Sequence, residues 1–109
     1  MTDLNEKLKF VAEYTGAIGV AESGYRPSEG VYKPYKFHTD YNEQIPVWQK
    51  VFSELMIFRT SLDKNSFNQK VEGIDLITFN YKVAIFKGTP LESFEILVQA
   101  IQFINKMEK

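Results

Sequence analysis

His38 is the only histidine in the chain, with Asp40 two residues and Glu43 five residues further on. An imidazole beside carboxylates is the raw material of general acid–base chemistry or of a metal site. The chain has no cysteine, so a metal at His38 would have to recruit carboxylates alone. The structural alternative is that His38 caps or packs at the junction of a strand and a helix. A serine triad would also need His38. Ser23, Ser28, Ser53, Ser61, Ser66 and Ser93 are on offer, and none sits in a Gly-x-Ser-x-Gly elbow. Paired carboxylates suffice for glycoside hydrolysis. The acidic residues nonetheless fall on expected polar helix faces or turns, except Asp75 between Ile74 and Leu76. Gly16, Gly19, Gly24, Gly30, Gly73 and Gly88 make no phosphate-cradling loop. No cofactor is expected, and no set of residues suffices for a known catalytic mechanism.

The segment from Tyr25 to Tyr41 is a different kind of candidate. Tyr25, Arg26, Tyr32, Lys33, Tyr35, Lys36, His38 and Tyr41 interleave rings with cations. Rings stack on bases and cations hold phosphates, so such a strip suits single-stranded nucleic acid. Tyrosine and arginine are equally at home in protein contacts. The third reading is an ordinary amphipathic hairpin, with Val31, Tyr35 and Phe37 inward and Tyr32 and Lys36 outward.

These residues need elements to hold them. Leu4, Leu8, Val11 and Ala12 recur at helical spacing, which predicts a helix from Thr2 to about Tyr14 that stops at Gly16. A short strand is expected over Ala17–Ser23, then a turn at Arg26–Gly30. A second strand follows over Val31–Phe37, at an edge or bulged because Pro34 cannot donate to a ladder. Asp40 and Glu43 are placed as a capping box for a second helix. Its apolar stripe is Ile45, Trp48, Val51, Phe52, Leu55 and Phe58. Pro46 leaves two starts open, a kinked one at Tyr41 or an unkinked one near Ile45. Thr60–Asn68 is polar and reads as a loop. Ile77, Phe79, Tyr81, Val83 and Ile85 alternate with their neighbours, which predicts a long strand or, preferably, a hairpin over residues 74–87. Thr89-Pro90-Leu91-Glu92 opens a last helix whose stripe runs from Leu91 to Met107, with Lys106 and Lys109 at its end. The expected order is α-β-β-α-β-β-α. It describes an α+β sandwich, mainly an antiparallel four-stranded sheet covered by three helices, as a single domain over residues 1–109.

Composition sets the outer bounds. The 109 residues carry 13 basic and 14 acidic side chains, a net charge of −1, so whole-molecule steering to nucleic acid or an anionic membrane is not expected. Aromatics are 15% of the chain, enough to build a core without metal or disulfide staples. The first residues show no apolar signal core, and no apolar run approaches the about 20 residues of a membrane span. A cytoplasmic location is expected.

The run Phe37-His38-Thr39-Asp40-Tyr41-Asn42-Glu43-Gln44-Ile45-Pro46-Val47-Trp48-Gln49-Lys50-Val51 resembles, without gaps, a pattern in small phage and Bacteroidetes proteins. Val11–Gly16 and Thr89–Ile104 are similar to that family's first and last helices. The resemblance is to the phage ABA-sandwich domain. Glu43 stands where an aromatic is common, and Trp48 where a smaller aliphatic is usual. The resemblance implies helix–sheet–helix packing and supplies no catalytic residue.

The expectation for function is a non-enzymatic protein-interaction module of phage or prophage type, self-associating or binding a protein partner, with no membrane contact. The alternatives are a nucleic-acid-binding accessory protein using the Tyr25–Tyr41 strip and a small enzyme using His38.

Overall fold

The computed structural model describes residues 3–61 and 67–107, with side chains described except at 58–61, 67–71 and 87. The chain opens with α1 (Leu4–Tyr14). Asp3 caps it by accepting from the Asn5 amide at 3.1 Å. Gly16, at φ 89°, takes the left-handed backbone that ends it. Three short strands follow: β1 (Gly19–Val20), β2 (Gly24–Arg26) and β3 (Lys33–Pro34). They pair antiparallel in the order β1-β2-β3, with Val20 opposite Tyr25 and Tyr25 opposite Lys33. β3 is therefore an edge, where Pro34 is tolerated. Gly24 lies so close to β3 that a Cβ there would collide with the Lys33 carbonyl.

Three helices complete the described chain: α2 (Tyr41–Ser61), α3 (Phe67–Lys87) and α4 (Pro90–Met107). Asp40 Oδ1 accepts from the Asn42 amide at 2.9 Å, so α2 starts at Tyr41 and Pro46 lies inside it. Proline there removes the bond that would reach the Asn42 carbonyl, and both residues are exposed, so water can replace it. α4 begins at Pro90, as its capping sequence requires, and packs against each of the other three helices. Phe94, Leu97, Val98, Ala100, Ile101 and Ile104 are all buried along it. A helix whose apolar stripe is that wide is one surrounded by partners.

The four-stranded sheet covered by three helices is thus not the fold. Among the described residues there are four helices and one small three-stranded antiparallel sheet, in the order α-β-β-β-α-α-α. The sandwich implied by the phage resemblance falls with it. The decisive departure is residues 74–87, which form helix rather than a hairpin. Ile74, Ile77 and Ala84 are buried on α3, with Tyr81 packed against the core between them. Their spacing is 3, 4 and 3. Leu76, Phe79, Val83 and Phe86 repeat that spacing two residues later and are exposed. An offset of two residues is about 200° around a helix, so the stripes lie on opposite sides. Read along the chain, two interleaved helical stripes look like strand alternation. No turn dipeptide interrupts 74–87 to enforce a hairpin.

Smaller departures follow the same logic. β2 takes in Arg26, the first residue of the expected turn, and its partner strands are two residues each. In α2 the buried face is Val47, Trp48, Val51 and Leu55, while Ile45 is exposed. The expected 60–68 loop is helical at both ends, at 60–61 and 67–68, and its middle, the Phe58 side chain, the start at Thr2 and Lys109 lie outside what the structure describes. No described helix is long and apolar enough to cross a membrane.

Candidate functional site

The ring-and-cation strip does not form one surface. Tyr25, Tyr35 and Phe37 are buried, and their rings stack on one another. The Tyr25 ring lies 5.6 Å from that of Tyr35 and 5.2 Å from that of Phe37. Tyr35 donates its hydroxyl to the Ala21 carbonyl at 2.7 Å. Lys33 pairs with Glu43 at 2.9 Å, which ties the edge strand to α2. Tyr41 donates to the Gly88 carbonyl at 3.0 Å, at the far end of α3. Arg26, Tyr32 and Lys36 are exposed, and the Tyr32 hydroxyl meets Ser23 Oγ at 2.6 Å. Of the inward set in the hairpin reading, Tyr35 and Phe37 are buried and Val31 is exposed.

Burial raises the hydroxyl pKa of Tyr25, with a smaller opposing pull from Lys33. Burial raises that of Tyr35 as well. A tyrosine that holds its proton longer when folded stabilises the fold fully below the ordinary pKa of about 10, and that stabilisation is lost as pH rises above it. Lys33, whose pKa Glu43 holds up first, acts in the same direction. Denaturant titrations between neutral and strongly alkaline pH should show stability falling past about pH 10, with a shallower fall in Tyr25→Phe. An unchanged slope in that variant would place the alkaline sensitivity elsewhere.

His38 sits between β3 and α2 with its ring 6.2 Å from that of Phe94. Its Nδ1 is buried and has no hydrogen-bond partner among the described residues. No group of three or more His, Asp or Glu side chains converges to hold a metal ion among the described residues.

Sequence reasoning missed the polar centre of the molecule, which is Gln44. It is 1% exposed, and its amide makes four hydrogen bonds. Nε2 donates to the Phe37 carbonyl at 2.6 Å and the Pro90 carbonyl at 2.7 Å. Oε1 accepts from Trp48 Nε1 at 3.2 Å and Ser93 Oγ at 2.7 Å. An amide has two donors and two lone pairs, so its capacity is filled. The available signal was spacing: Gln44 precedes Trp48, Val51 and Leu55 on the same buried stripe.

Between α2 and α3 runs a cleft of about 190 Å³ lined by Tyr41, Gln44, Ile45, Trp48, Tyr81 and Ile85. Tyr41, Gln44 and Trp48 already direct polar atoms at protein partners. Such a cleft can accept an apolar group, but these three residues offer it no acid, base or nucleophile.

The outward face of α3 is the other unusual feature. Leu76 is 59%, Phe79 63%, Val83 38% and Phe86 88% exposed. Counting about 200 Å² per large side chain, this single stripe shows water on the order of 500 Å². That is in the upper part of the about 300–600 Å² found for the largest patch on a monomer, which is often functional. No family model, no curated protein and no solved structure matches the chain.

Proposed function

We propose that this protein is a non-enzymatic protein-interaction module working in the cytoplasm, and that the outer face of α3 is its contact surface. The observation that carries this reading is the second apolar stripe, Leu76, Phe79, Val83 and Phe86, placed opposite the stripe that fills the core. Exposed aromatic rings lose nothing of the fold when removed and gain greatly when a partner covers them. The surface proposed from sequence, Tyr25 to Tyr41, contributes less, because Tyr25 and Tyr35 pack inside.

A photo-cross-linking benzoylphenylalanine in place of Phe86 tests this in the cells that make the protein. The same group in place of Ile18, exposed beside β1, is the control. The expected result is a discrete protein adduct from position 86 and none from position 18. No adduct at 86, or the same smear from both positions, would contradict the proposal.

A further inference from the structure

We infer that the occupant of the α3 face is a second copy of this chain, docked antiparallel about a two-fold axis beside residue 81. The inference rests on the reading of that face as a contact surface and names what covers it.

The spacing 3, 4, 3 of Leu76, Phe79, Val83 and Phe86 is the same read in either direction. It is also the spacing of a coiled-coil seam. Turned end for end, the stripe therefore falls on its own copy without a register shift, as a two-fold interface requires. Leu76 then meets Phe86 of the second copy, and Phe79 meets Val83 of the second copy. Each layer joins one ring to one aliphatic side chain, so the layers have similar volumes. A parallel pairing would stack Phe79 and Phe86 on themselves and leave Val83 on itself. That arrangement overfills two layers and underfills a third.

Two such faces bury on the order of 1,000 Å² from the four side chains alone. The flanking stems of Glu72 and Lys82, both exposed, bring the total to the lower range of specific interfaces, about 1,200 Å². The apolar content is concentrated at the centre of the seam, where contact energy gathers.

The chain has no cysteine, so single labelling sites can be introduced cleanly. Sedimentation equilibrium on the purified full chain from about 1 μM to about 1 mM should show a reversible dimer. Phe79→Glu should weaken it about a hundredfold or more, and Ile18→Glu should leave it unchanged. Circular dichroism of Phe79→Glu should stay that of the wild type, because the ring lies outside the core. Spin labels on Lys82→Cys and Glu72→Cys then give the orientation. Antiparallel docking offsets the two copies along the axis by about 3 Å at position 82 and about 27 Å at position 72. The label pair at 72 must therefore be much farther apart than the pair at 82. Equal distances at the two positions, or a dimer indifferent to Phe79→Glu, would overturn the inference. A strict monomer at about 1 mM would also overturn it. In that last case an adduct from position 86 to a different protein would leave the contact-surface reading standing without the second copy.

Discussion

Gln44→Ala is expected to destabilise the fold by about 3 kcal/mol, lowering Tm by roughly 15 °C, because it opens a cavity and strands the Phe37 carbonyl and the Trp48 indole N–H, while the Ser93 hydroxyl and the Pro90 carbonyl keep each other. The carbonyls of Phe37 and Pro90, the indole N–H of Trp48 and the hydroxyl of Ser93 all converge on that amide. They belong to the segment after β3, to α2 and to the start of α4, so the amide fixes three parts of the chain to one another. Removing a hub costs more than removing one bond, since each stranded group keeps its desolvation penalty. Gln44→Glu separates shape from hydrogen bonding. A carboxylate fills the same space but cannot donate to either carbonyl, and burial among acceptors disfavours its charge. Its pKa would be raised in the folded state, so that variant should gain stability as pH falls and lose it as pH rises through the raised value. Calorimetry on both variants checks this. A drop below about 1 kcal/mol for Gln44→Ala would mean the four bonds have little net worth.

Trp48→Ala is the second large effect, expected at about 3–5 kcal/mol for a buried ring this size. The Trp48 ring packs 5.4 Å from Phe52 and 4.4 Å from Tyr81, and Phe52 meets Tyr81 edge-on at 5.2 Å. Two of these rings come from α2 and one from α3, so the cluster is part of what holds α3 in place. Loss of Trp48 should therefore loosen α3 before the rest. Hydrogen exchange should show the amides around Tyr81 speeding up more than those around Ile101, which is fully buried at the centre of α4. Trp48→Phe, which keeps a ring but loses the donor to Gln44, should fall between wild type and alanine. Uniform acceleration across α3 and α4 would show that the cluster does not act as a local latch.

The two ends of the chain were legible from sequence because capping and burial agree there. Gly16, Asp40 and Thr89-Pro90 each mark a boundary by local chemistry, and the structure starts or stops a helix at each. Pro34 likewise marked an edge or bulged strand, and β3 is an edge. Residues 74–87 were not legible in the same way. The expected hairpin rested on β-branched and aromatic residues in alternation, a signal that assumes only one face is apolar. Here Ile77 and Tyr81 face inward while Phe79 and Val83 face outward, and both sets are hydrophobic. Helical and strand periods then coincide over a short window. The polar hub was illegible for the opposite reason. Gln44 and Ser93 read as surface residues by type, and only their place on apolar stripes reveals that they are inside.

The contact surface exists only if α3 is a helix with Leu76, Phe79, Val83 and Phe86 on the side away from the core. Backbone carbon-13 chemical shifts across residues 74–87 test that most directly. Unbroken helical values from Ile74 to Phe86 are expected. Strand-type values on both sides of a turn near Asn80 would restore the hairpin, remove the outward stripe and leave the contact surface without a basis.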